Sequence, residues 1–111
     1  MNPQFAGGEA ECMKFVAYNI RYPKKCVENG VTGKVVCHFV VSTDGSISNV
    51  EVSAMEGTVT EAGLPASKEM FDLLAQEAVR VIEKMPKWIP GQKDGKVVAT
   101  RFSLPVTFRL Q

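Results

Sequence analysis

Between residues 35 and 41 the chain reads Val-Val-Cys-His-Phe-Val-Val, and Asp44-Gly45 follows at once. A β-branched run that is apolar at both parities, broken only by His38, suits a strand covered on both faces, which makes it the central strand of a sheet. Asp-Gly is a strong hairpin signal, so this strand has an antiparallel neighbour in sequence. Ile47, Val50, Val52 and Ala54 supply it. The step from Ile47 to Val50 breaks strict alternation and predicts a bulge near Asn49.

A third strand is legible at the end of the chain. Phe102, Leu104, Val106, Phe108 and Leu110 alternate with Arg101, Ser103, Thr107 and Arg109, the pattern of a half-buried strand. Pro105 lies on the polar parity, and because proline has no N–H to give a ladder, this strand belongs at a sheet edge.

Two helices complete the pattern. Gly8 with Glu9 and Glu11 suits a helix start, and Ala10, Met13, Val16, Ala17 and Ile20 recur at helical spacing, so residues 8–20 read as an amphipathic helix that Pro23 ends. A short helical turn over Lys24 to Asn29 follows. Residues 56–67 show no period, contain Gly57, Gly63 and Pro65, and read as a loop. Beyond them Phe71, Leu74, Ala75, Ala78, Ile82 and Met85 mark a second helix that Pro86 stops. Trp88, Pro90, Gly91 and Asp94-Gly95 form a turn region leading to the last strand. A right-handed crossover through the second helix then places the last strand beside the first. The expected fold is α+β with topology α-β-β-α-β: a three-stranded antiparallel sheet in the order 2-1-3, with both helices packed on one face. At 111 residues and 12.1 kDa the chain makes one domain, residues 1–111.

Composition narrows the function classes. With 45% apolar and 23% charged residues, disorder, collagen and coiled coil are excluded. No apolar run approaches the ~20 residues that cross a bilayer. The net charge of +1 gives no general reason to bind nucleic acid, and Phe102 and Phe108 share the apolar face of their strand, where they are core rather than base-stacking platforms. The charge is uneven, however: residues 80–111 carry seven basic and two acidic side chains, against six and ten in residues 1–79.

Catalysis has little to work with. The single histidine, His38, adjoins Cys37 on a strand, so their side chains point to opposite faces and form no dyad. No zincin, phosphate-loop or nucleophile-elbow motif occurs. Cys12, Cys26 and Cys37 make no metal-binding spacing; Cys37 reads as a buried hydrophobe, while Cys12 and Cys26 are open to being free or paired. No enzyme activity, catalytic residue, metal or cofactor is expected. What remains is the exposed edge of the last strand, either protected against aggregation by Pro105 and its arginines or kept as a template for a partner strand.

Phe5-Ala-Gly-Gly-Glu9, Tyr22-Pro23, Gly30 and Gly33 before Val35, the Asp44-Gly45 hairpin, Met85-Pro86-Lys87-Trp88 with Pro90-Gly91, Gly95, and the ending Leu104-Pro105-Val106-Thr107-Phe108-Arg109-Leu110 together carry a resemblance. From residue 5 onward the sequence resembles the C-terminal domain of TonB, most of all the variant common in Bacteroidetes-like proteins. The resemblance implies a periplasmic domain of a Gram-negative energy transducer, tethered to an inner-membrane segment that works with ExbB and ExbD. Its partners would be TonB-dependent outer-membrane receptors for siderophores, vitamins or glycans. Their TonB box would pair with the last strand, which implies a partner-peptide site at Val98, Ala99, Thr100, Arg101, Phe102, Ser103 and Leu104, with Asn19, Tyr22 and Pro23 nearby. A homodimer through the same strand is a further expectation. The same domain type also occurs on membrane-anchored sensors and metallopeptidase-type signalling proteins, where it would serve as an interaction module.

Overall fold

The computed structural model describes residues 1–110 and runs α1 (Glu9–Asn19), α2 (Lys24–Glu28), β1 (Thr32–Val41), β2 (Ile47–Val59), α3 (Lys68–Glu83), β3 (Gly91–Lys93), β4 (Lys96–Val98) and β5 (Thr100–Phe108). The main sheet is antiparallel in the order β2-β1-β5, so the apolar strand is central and the last strand lies at an edge, as the sequence implies.

Along β1 the side chains of Val35, Cys37, Phe39 and Val41 are fully buried beneath the helices, while Val36, His38 and Val40 on the other face are half-buried. Leu74, Ala78, Val81 and Ile82 of α3 meet them from one side, and Leu104, Val106 and Phe108 of β5 close the core along the sheet. Ser67 caps α3, its hydroxyl accepting from the backbone N–H of Met70. Such a cap satisfies one of the free donors at a helix start.

β2 departs from two-residue alternation three times. Its inward residues are Ile47, Val50, Val52, Met55 and Thr58, and the register against β1 slips where the spacing is three. The first slip, around Asn49, is the expected bulge, and Asn49 sits at φ 53. Two expectations fail in this strand. Ala54 faces out and Met55 takes its place, and residues 56–59 belong to β2 rather than to a loop. A bulge at Gly57, φ 60, carries the pairing to Val59, and Thr58, although polar, is buried there. A period of three inside a strand is invisible to a search for alternation.

The first helix also buries a different face. Cys12 and Val16 are inside, with Phe15 packed on the core, whereas Met13 is 47% exposed. Beyond α3 the region read as turns holds the hairpin β3–β4, with Asp94 and Gly95 both at positive φ, as a type I′ turn requires. The chain start joins this hairpin: Met1 exchanges backbone hydrogen bonds with Gln92, and Gln4 with Ile89.

Gly45 has a reason beyond its turn. At φ 87, a Cβ there would stand 2.1 Å from the carbonyl oxygen of Trp88, whose N–H donates to the Gly45 carbonyl at 2.8 Å. The β1–β2 turn is thereby fastened to the segment after α3, and no residue other than glycine fits the approach.

Candidate functional site

A sheet has two edges, and they differ here. β2 is bulged and irregular, which twists its outer backbone away from regular pairing. β5 pairs with β1 over nine consecutive residues without a slip, from Phe108 opposite Gly33 to Thr100 opposite Val41. Among the described residues no strand pairs with its other side. Pro105 stands within this ladder without disturbing it, as it can when its backbone faces the open side. In an antiparallel strand alternate residues direct their N–H and C=O to the same side, so Arg101, Ser103 and Thr107 share that outward direction. Their side chains lie on the open face of the sheet and are exposed, whereas Phe102 is half-buried and Leu104 buried on the helix side.

Of the residues assigned to a partner site by resemblance, Thr100, Arg101, Phe102, Ser103 and Leu104 lie together in the first half of β5. Val98 does not: it belongs to β4, paired with Gly91, and Ala99 links the two strands. Tyr22 sits at the other end of the same strand, with Asn19 and Pro23 close to it in the chain. Tyr22 stacks edge-on against Phe108, with ring centroids 5.5 Å apart, and its hydroxyl donates to the Val31 carbonyl. Pro23 begins α2, and the Asn19 amide donates to the Phe15 carbonyl. Phe108 lies four residues beyond Leu104, roughly 13 Å along a strand, so the two groups flank β5 rather than forming one cluster.

Glu77 of α3 holds the Tyr22 group in place. Its carboxylate accepts from the Arg80 guanidinium at 2.7 Å through two nitrogens and from the backbone N–H of Arg21, and Arg80 also donates to the Asn19 carbonyl at 2.8 Å. Burial pushes the Glu77 carboxyl up, but the Arg80 and Arg21 hydrogen bonds outweigh it and hold the group below its ordinary value.

Alongside Phe102 to Pro105 runs a groove of about 460 Å³. Its floor and walls are Phe5, Cys12, Trp88, Phe102 and Leu104, and the exposed Glu9 stands at its mouth. Trp88 organises the apolar part: its ring lies 5.3 Å from both Phe39 and Phe102 and 5.8 Å from Phe5. Of the groove's lining the sequence singles out Phe102, Ser103 and Leu104 as site residues but not Phe5, Cys12 or Trp88, because these come from positions far apart in the chain. The signal that was available is the placement of Phe5 and Trp88 within the motifs of the resemblance.

The cysteines do not offer reactive thiols. All three are free and buried, and burial pushes each pKa up, Cys37 to about 11; Glu9 adds to the rise at Cys12. A thiol kept protonated is a poor nucleophile. His38 pairs with Glu51 across the open face at 3.0 Å.

The fold is similar to that of solved TonB C-terminal domains. Residues 18–60, which hold α2, β1 and the whole of β2, match the family described as Gram-negative bacterial TonB protein C-terminal. Over 89% of this chain the structure is similar to the solution structure of the Helicobacter pylori TonB C-terminal domain, residues 194–285, with TM-score 0.60, 19% identity and 89% of that domain covered. A longer form of that domain, residues 179–285, matches with TM-score 0.59 and 20% identity over 89% of this chain and 77% of its own. No curated protein sequence matches. The chain is therefore similar to the TonB C-terminal family in sequence across residues 18–60 and in fold over 89% of its length.

Proposed function

We propose that this chain is the periplasmic receptor-binding domain of a TonB-type energy transducer. The outer edge of β5 takes the TonB box of an outer-membrane receptor as an added strand. Force from an inner-membrane complex of ExbB and ExbD, driven by the proton gradient, then reaches the receptor through that ladder. The carrying observation is the contrast between the edges: β2 is bulged, whereas β5 is regular over nine pairs and has no outer neighbour among the described residues. Backbone pairing gives affinity that tolerates sequence change, which suits one domain serving several receptors. The edge that would take a peptide would also take a second copy, so a homodimer through β5 competes with it.

The test is an amide NMR titration with heptapeptides from receptor N-termini and a scrambled control. Shifts concentrated at Arg101, Ser103 and Thr107 support the reading. An absence of shifts at millimolar peptide sinks it, and leaves an interaction module of a sensor or metallopeptidase-type protein as the better assignment.

A further inference from the structure

The open edge and the groove share the stretch Phe102 to Pro105. Residues directly opposite each other in an antiparallel pair project to the same face. A peptide residue opposite Arg101, Ser103 or Pro105 therefore projects to the open face of the sheet. One opposite Phe102 or Leu104 projects to the helix side, over the groove. The occupant of the groove and the strand on the edge are thus two aspects of one ligand.

The lining says what kind of side chain fits. Phe5, Cys12, Trp88, Phe102 and Leu104 present mainly carbon and sulfur, Gln4 and Ser103 add polar groups at the rim, and the one carboxylate, Glu9, is exposed. Trp88 Nε1 is buried and has no hydrogen-bond partner, a defect that a closed apolar core seldom tolerates. A free small molecule would forgo the backbone donors and acceptors at the rim, whereas an extended peptide uses both.

We propose that the groove is a specificity pocket, taking one apolar side chain of leucine or phenylalanine size from an extended peptide paired with β5. This rests on the edge-pairing reading and adds a rule to it: discrimination resides in alternate peptide positions, those on the helix side, with the intervening positions tolerant.

Trp88 is the chain's single tryptophan and lines the groove, so its emission reports on the surroundings of this one ring. The experiment takes the tightest receptor heptapeptide from the NMR titration and replaces each of its residues singly by Ala, following Kd and Trp88 emission together. Ala at one helix-side position should weaken binding about tenfold and abolish the emission change, while Ala at open-face positions changes Kd by less than about twofold. A Cys12→Met domain, its groove partly filled, should lose the preference for a large side chain at that position; should this variant not fold, the peptide series decides alone. Edge amide shifts with equal Kd across the series and unchanged emission would overturn the pocket and leave edge pairing standing. No binding by any peptide overturns both. An emission change on concentrating the domain without peptide would assign the groove to a second copy and overturn the proposal as well.

Discussion

Trp88 is where the termini of three elements meet. It stacks on Phe39 from β1, Phe102 from β5 and Phe5 from the chain start, and its backbone N–H is tied to Gly45. Replacing it by Ala removes a nearly buried ring from all three contacts at once, and such truncations cost about 3–5 kcal/mol. Domains of this size are stable by only about 5–15 kcal/mol. Urea unfolding of Trp88→Ala followed by circular dichroism should show that loss, and a change below about 1 kcal/mol would mean the cluster contributes little. Glu77 makes a different kind of prediction. Its folded pKa lies below the unfolded value of about 4.3, so its contribution is complete above that value and is lost as pH falls through the lower folded pKa. Glu77→Gln should therefore cost about 2 kcal/mol at pH 7, a cost that shrinks as pH falls through the folded pKa. Stability measured against pH should fall less steeply on the acid side in the variant than in the parent. Parallel acid limbs would show that the Arg80 pair is not what titrates.

At the scale of the element, β5 separates its two sides by parity. A proline at position 103 removes an N–H that faces the open edge and leaves the β1 ladder whole, as Pro105 already does two residues on. Ser103→Pro should keep the fold and weaken every edge-pairing peptide by about tenfold, one hydrogen bond being worth about 1 kcal/mol and its lost partner on the peptide somewhat more. Leu104→Pro, one residue along, should break the ladder to β1 and unfold the domain. If Ser103→Pro folds and binds unchanged, the peptide does not use this edge. The same parity explains what could be read beforehand. The alternation of Phe102, Leu104, Val106 and Phe108 is legible because one face of β5 is wet and the other dry. The central place of β1 is legible because both its faces are covered to some degree. β2 hides its last third because bulges turn its period from two to three, and a buried Thr58 carries no apolar signal. The hairpin β3–β4 is three residues a side, too short to show alternation. The groove was least legible of all: Phe5, Cys12, Trp88 and Leu104 become neighbours only after the crossover has placed β5 beside β1.

The whole molecule is 51 Å long and 22 by 17 Å across. A strand of thirteen residues such as β2, roughly 40 Å long, fits only along the long axis, so β5 and any strand added to it also run that way. Force drawn along an added peptide would then shear its whole ladder and the nine-pair ladder beneath it, sharing load across bonds that peeling would break singly. Charge near this edge would bear on which peptides it prefers. The outer face of β5 carries Arg101 near its start, beside a hairpin bearing Lys93 and Lys96, in a C-terminal third with seven basic and two acidic side chains. Arg101 is exposed, so its attraction for an acidic residue of the peptide is modest and screened by salt, with a Debye length of about 30 Å at 0.01 M and 3 Å at 1 M. Arg101→Glu should weaken an acidic peptide about fivefold near ~0.01 M salt and less than about twofold near ~1 M, while a neutral peptide of the same backbone binds alike at both. Isothermal titration at the two salt concentrations reads the difference. A loss that persists undiminished in high salt would mean Arg101 acts by contact with the peptide rather than by charge. Loss with the neutral peptide as well would place the defect in β5 itself.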